Sequence, residues 1–278
     1  MDIINDKRKK YCSVFSMHLI AASLFITSFL NAQTIASDVV GNIVYTIQVD
    51  SSTLFESLEK TKIENPAQYE MLGEEMKACF FITRQFATRL RFDADEAVSF
   101  LIEDEVLANE DKYLYEIAKI MAKCGDVHYL ALSTNQRITE VSLDMGATFY
   151  HVVEPWNPYN WEITQETKKV GEYECIKAKG HTSIELINTE LATVDIEAWF
   201  APALPFPFGP MGYDGLPGIV LEATVYRNIP ITYIAQKVEI KKGEKNTKLS
   251  SLRPALEEIS RKEFEILINR KIPTPPKD

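Results

Sequence analysis

Alternation of apolar and polar residues dominates the chain. Ile43, Tyr45, Ile47 and Val49 alternate with Asn42, Val44, Thr46 and Gln48, the period of a half-buried strand. The same period recurs in Phe86, Thr88, Leu90 and Phe92, and after a turn over Asp93 to Glu96 the run Val98 to Ile102 returns as its partner. From Val127 onward it predicts strands at 127–133, 137–143, 147–153, 160–164, 172–180, 192–200, 218–227 and 231–241, most of them joined by short polar or glycine-containing turns.

Helical spacing is rarer. Asn65-Pro66 reads as the N-cap and first residue of a helix with Tyr69, Leu72 and Met76 on one stripe. Asn109 caps a second helix with Tyr113, Ile117, Ile120 and Cys124 on one side and Gly125 as the C′ residue. Ser251 caps a third, carrying Leu252, Leu256, Ile259, Phe264 and Leu267. The Ser/Glu/Lys-rich stretch 51–64 is polar and is assigned no element. The pattern predicts one mainly β (α+β) domain over residues 33–270: an antiparallel sheet of about ten strands with two or three helices. Twist prevents so many strands from lying flat, so the sheet should curl into a barrel or half-barrel. Such a sheet can enclose an apolar ligand cavity, and a hollow filled by its own side chains fits equally well.

One stretch obeys neither period. Between Pro202 and Gly218 lie five prolines and four glycines, interleaved with Phe206, Phe208, Met211, Tyr213 and Leu216. Each proline fixes its own φ and extends the residue before it, while glycine admits positive φ or a close backbone approach. A stiff, non-helical loop should therefore join a strand ending near Phe200 to one starting near Gly218. Loops of this length are uncommon without a task of their own.

The residues in and around this loop carry a resemblance. Gly215-Leu216-Pro217-Gly218-Ile219, preceded by Ala198-Trp199-Phe200, Leu204-Pro205 and Gly209-Pro210, is similar to the signature of the GLPGLI family of exported bacterial proteins. The likeness extends upstream to Trp161-Glu162-Ile163, Lys168 and Tyr173-Glu174-Cys175-Ile176-Lys177-Ala178, and covers roughly residues 160 to 225. Val220 stands where the family's final isoleucine falls, and Gly180 to Ala192 reads as an insertion between two strands. The resemblance implies a location and a shape, with Trp161, Lys168, Cys175, Gly209, Pro210, Gly215, Leu216, Pro217 and Gly218 as structural motif residues. It implies no reaction.

Composition changes the picture in three ways. Lys7 to Lys10 are all basic and precede an apolar run from Tyr11 to Leu30 and then Asn31-Ala32, which predicts a cleaved signal peptide over residues 1–32 and a periplasmic or cell-envelope location. An uncleaved anchor is the competing reading, because about 20 apolar residues can span a bilayer, but His18 and several serines dilute the run. No second stretch comes near that length, so no stable membrane insertion is expected after cleavage. Removing those four basic residues with Asp2 and Asp6 takes the formal charge from −10 to −12, which excludes nucleic acid and disfavours anionic lipid surfaces. Cys79, Cys124 and Cys175 then remain: an oxidising compartment makes one disulfide plus one thiol the default, in any of three pairings, with three buried thiols as the alternative. The terminal stretch 271–278 is proline-rich and reads as a flexible tail.

No nucleophile elbow, zinc-protease, P-loop or dinucleotide motif occurs, so no catalytic residue, metal or cofactor is assigned. His128, His151 and His181 lack metal-ligand spacing and read as surface or strand-face residues. Met71, Met76 and Cys79 form a sparse soft cluster whose spacing is also that of a helix stripe. Cys175 and His181 sit six residues apart on one strand, about 20 Å and beyond hydrogen-bond reach. The combined reading is an exported, non-catalytic accessory protein that binds an apolar small molecule or an envelope protein. Trp199, Phe206, Phe208 and Tyr213 of loop 199–218 are its candidate contacts. The more economical alternative gives those aromatics to the core, since proline and glycine at such density fix shape before they imply binding. Two further readings stand beside it: a periplasmic hydrolase using Asp195, Glu197 and Glu222, and copper or redox handling by the cysteines and methionines.

Overall fold

The computed structural model describes residues 39–143, 147–156, 159–185, 191–242, 249, 252–254 and 256–271. The signal segment over residues 1–32, Ser251 and residues 272–278 of the tail lie outside the described residues. The alternating first run becomes β1 (Val39–Val49), whose Ile43, Tyr45, Ile47 and Val49 are buried. Each such side chain contributes about 1.5–3 kcal/mol of burial. This strand joins two meanders. On one side it pairs antiparallel with β2 (Ala87–Phe92), followed in order by β3 (Glu96–Leu101), β4 (Val127–Ala131), β5 (Gln136–Leu143) and β6 (Thr148–Pro155). On the other it pairs antiparallel with β11 (Ile231–Lys242), followed by β10 (Ile219–Tyr226), β9 (Leu191–Ala201), β8 (Tyr173–Glu185) and β7 (Glu162–Val170).

A short β12 (Glu257–Ser260) adds parallel to β6. The result is a mixed sheet of twelve strands, mainly β as the alternation predicts, with β12 and β7 at its edges and therefore not closed. β4 to β6 and β8 to β10 stand far apart in the strand order. Nevertheless His128, Arg137 and Glu154 from the first group share one cavity with Thr182, Ile196 and Val225 from the second. The sheet thus curls on itself.

The helices depart from the sequence reading in instructive ways. Residues 51–64 form a helix, α1 (Ser51–Glu64), where none was assigned. Asp50 caps it by accepting from the Thr53 amide at 2.7 Å, and only Leu54 and Leu58 are buried, a stripe too narrow to stand out in a polar run. α2 (Pro66–Thr83) begins as predicted, with the Asn65 side chain accepting from the Gln68 amide. The second predicted helix is two: α3 (Glu105–Glu110), capped by Asp104, and α4 (Lys112–Met121), capped by Asp111 rather than Asn109. Its C-terminus turns at Lys123, with φ of 50°, instead of at Gly125.

The last helix, α5 (Arg261–Lys271), starts later than predicted because Ile259 belongs to β12. Ser260 and Glu263 form a capping box there: the Ser260 amide donates to the Glu263 carboxylate at 2.7 Å, and the Glu263 amide donates to Ser260 Oγ at 3.2 Å. Most of the apparent insertion at Gly180–Ala192 is strand, the outer reach of the β8–β9 hairpin.

The Pro/Gly loop fills the hollow of the sheet. Phe208 and Leu216 are fully buried, and the Phe206 and Phe208 rings lie 5.1 and 5.6 Å from Phe92. Its backbone is pinned from within: the Val220 amide donates to Phe208 O, Gly215 to Pro207 O, and Met211 to Ser99 Oγ. At Gly209 the chain passes so close to itself that a Cβ would lie 1.9 Å from the Tyr213 carbonyl oxygen, a contact that only glycine avoids.

Candidate functional site

The structure separates the residues singled out in the sequence. Phe206 and Phe208 are core. Trp199 lies on the other face of β9, since Val194, Ile196, Ala198 and Phe200 turn inward. There Lys168 Nζ sits 4.4 Å and Lys177 Nζ 5.6 Å from its ring centroid. Lys168 also donates to both oxygens of Glu222 at 2.7 Å, and Lys177 pairs with Glu197 at 3.0 Å. Asp195 and Glu197 line a hollow of about 380 Å³ on the outer face together with Glu162 and His181, while Glu222, paired with Lys168, stands outside it, so the three carboxylates do not share one cleft. Trp161 donates its indole N–H to the Asp214 carbonyl at 2.8 Å, so this motif residue anchors the loop.

The three cysteines are buried thiols without a disulfide, which replaces the expected bridge by the alternative arrangement. Burial pushes the Cys79 and Cys175 pKa values up to about 11, so both stay protonated and poorly nucleophilic. Met71 is exposed while Cys79 is fully buried on the same helix, which parts the sparse soft cluster. Among the described residues no three His, Cys, Asp or Glu side chains come together to hold a metal ion.

Of the loop aromatics, Phe208 borders only a hollow of about 10 Å³, whereas Tyr213 lines a larger space. A recess of about 220 Å³ lies in the curl of the sheet, floored by Met211 and Tyr213 and bordered by α5. Four cations line it (Lys123, Arg137, Arg227 and Arg261) against three carboxylates, Asp126, Glu154 and Glu265. Arg137 is 5 % exposed. One guanidinium nitrogen, Nη1, donates to Tyr159 Oη at 2.9 Å and to the Gly212 carbonyl at 2.8 Å, tying β5 to the loop. Arg261 makes a two-point contact with Glu154 at 3.1 and 2.8 Å, and Arg137 Nη2 approaches the same carboxylate at 3.4 Å. Two donors are left over: Arg137 Nε and Arg227 Nε are buried without an acceptor.

The electrostatics follow from this crowding. Burial, then Arg137 and Arg261, lowers the His128 pKa to about 3, so the imidazole is neutral at ordinary pH. Burial raises the Asp126 carboxyl above its usual range, although Arg261 and Lys123 pull the other way. Lys123 stays open to solvent, yet the protein crowded about its ammonium group, and next Arg227, hold its pKa below the ordinary lysine value. Burial opposes the charge on Arg137, but Tyr159, Asp214 and Glu154 outweigh it and keep the guanidinium protonated. Just behind it, burial pushes Asp214 up to about 7 despite Arg137. Four cations against three carboxylates leave the lining with a formal surplus of one positive charge. Its one imidazole, His128, is neutral and so adds no charge to the lining.

Sequence reasoning missed this group, although a signal was present. Arg137 stands in phase with Thr139, Val141 and Leu143 on the buried face of its strand, and Arg227 in phase with Ala223 and Val225. A charged residue at an inward position demands a partner.

Residues 183–222 match the model of a family described as a protein of unknown function (Porph_ging). This stretch holds β9, the loop and the start of β10. No curated protein matches the sequence. Two solved structures of PNGF-II, in the C2 and P21 space groups, resemble the fold at 15 % and 16 % identity, each with a TM-score of 0.48. They cover 84 % and 82 % of this chain but 33 % of their own, so the chain spans about a third of the PNGF-II length. No helix among the described residues is long and apolar enough to cross a membrane.

Proposed function

We propose that this is a non-catalytic, ligand-binding protein of the cell envelope that takes a small anionic group, carboxylate, phosphate or sulfate, in the recess of the curled sheet. The observation that carries the reading is the set of four cations, Lys123, Arg137, Arg227 and Arg261, that line one 220 Å³ cavity, two of which, Arg137 and Arg227, keep a buried Nε without an acceptor. An anion among these cations gains charge-assisted hydrogen bonds worth about 1.5–3 kcal/mol each. The signal segment and the likeness to GLPGLI proteins support the envelope location. Loop 202–218 acts from inside, as the floor that presents Tyr213, while Phe206 and Phe208 hold its shape.

Titration calorimetry of the purified protein with sodium phosphate and sodium acetate tests this. Arg227 is only partly buried and stands just past the end of β10, so Arg227→Met should fold normally, as circular dichroism would report. Saturable binding is expected in the wild type and a loss of about tenfold or more in the variant, since a charge-assisted hydrogen bond is worth about 1.5–3 kcal/mol. Absence of saturable heat, or equal affinity in both proteins, refutes the reading.

A further inference from the structure

A second hollow adjoins the first. It is a groove of about 610 Å³ between α4 and the β10–β11 turn, with Met76, Ile117, Ile120, Met121, Ile229 and Ile231 as its apolar walls. Lys123, Arg227 and Val194 line both the groove and the charged recess, so the two spaces meet at a pair of cations. Ile120 is 53 % exposed, an isoleucine left uncovered on the helix face that borders the groove. Such an apolar surface is expensive to leave wet. Lys123 is exposed and Arg227 only partly buried, so both cations can be reached from the groove. Each space alone suits half of an amphiphile, and a site of several hundred Å³ is within the roughly 300–1,000 Å³ of small-molecule pockets.

We infer that the anion carries a single aliphatic chain: the ligand is an anionic amphiphile whose head group lies between Lys123 and Arg227 and whose chain runs along the groove beside α4. The inference rests on the anion-binding reading and adds the tail. Charge complementarity fixes the polarity of the occupant, because a cationic head would meet two positive groups. The geometry also fixes the direction of the ligand, head toward Arg137 and the loop, tail toward Ile120 and Met76.

The test is calorimetry of the whole purified protein with acetate, octanoate and dodecanoate, and with dodecyl phosphate and neutral dodecanol, all below their aggregation limits. Each added CH₂ that enters the groove should tighten binding by up to roughly fourfold. Ile120→Asp, at a position already open to solvent, should flatten this chain-length dependence while leaving phosphate binding in place. Arg227→Met should weaken octanoate, dodecanoate and dodecyl phosphate alike by about tenfold. Dodecanol should bind far more weakly than dodecanoate. If phosphate and acetate bind but octanoate and dodecanoate bind no tighter, the tail is refuted and the anion site stands. If dodecanol matches dodecanoate, the charged head is refuted. If no soluble ligand binds, both readings fall, and cosedimentation with phosphatidylglycerol vesicles alone would assign the groove to a membrane surface instead.

Discussion

Asp214 offers the sharpest quantitative test of the buried charge network. It is 3 % exposed, and its Oδ1 has no hydrogen-bond partner. Burial lifts its pKa from 3.8 to about 7, with Arg137 opposing and Glu154 adding to the rise. The folded carboxyl therefore keeps a proton that the unfolded chain has already released. Stability must fall as pH rises from about 4 to about 7 and then level off. A shift of about three units at 1.36 kcal/mol each sets the loss at roughly 4 kcal/mol, a large share of a total stability of about 5–15 kcal/mol. Asp214→Asn removes the titration while keeping size and polarity. Urea unfolding at pH 5 and pH 8 should show the variant gaining about 2.5 kcal/mol on the wild type between the two, because roughly 1.7 kcal/mol of the loss has already occurred by pH 5. Other groups titrate in both proteins, so the difference between them isolates Asp214. Parallel losses of stability in wild type and variant would show that Asp214 is ionised throughout, and that Arg137 compensates its burial completely.

Two further outcomes test the loop. Phe208→Ala empties a fully buried site against Phe92 and should cost about 3–5 kcal/mol in chemical denaturation, whereas a residue displayed for binding would cost under 1. Gly209→Ala places a Cβ against the Tyr213 carbonyl, so the loop must shift; a loss of about 1–3 kcal/mol or more is expected, together with weaker anion binding because Tyr213 floors the recess. An unchanged melting temperature in either variant would contradict the packing described above.

Much of the sheet was legible because alternation reports directly on which side of a strand is buried. β1, β2 and β5 could be placed from Ile43, Leu90 and Val141 and their neighbours two apart. The helices were read less well. α1 buries only Leu54 and Leu58, and the start of α5 depends on a Ser260–Glu263 box that a longer hydrophobic run overshadowed. The rigidity of the loop was visible in its prolines, but its direction was not: whether Phe206 and Phe208 face water or Phe92 depends on how β2 and β10 are brought together by β1. The charged recess was hidden for the same reason. Its members come from β4, β5, β6, α5 and the turns after α4 and β10, and no spacing along the chain records that Arg137 and Arg227 line one recess. Only the inward phase of each arginine was there to be read.

The position of β1 has a consequence for how the molecule is made. Val39–Val49 is the earliest described strand, yet Tyr45 pairs with Ala235, and Val39 with Lys242, nearly two hundred residues later. The two meanders can each zip up from neighbouring hairpins, because their contacts are local. The seam between them cannot form until β11, about two hundred residues after β1, has been synthesised. Topology of this kind slows folding, since the long loop must close before any contact rewards it. Until then β1 waits with one side unpaired while β11 offers a complementary edge of its own. In a crowded solution of nascent chains, the β1 of one copy could serve the β11 of another, and exchange of this first strand is the misassembly to which the architecture is most exposed.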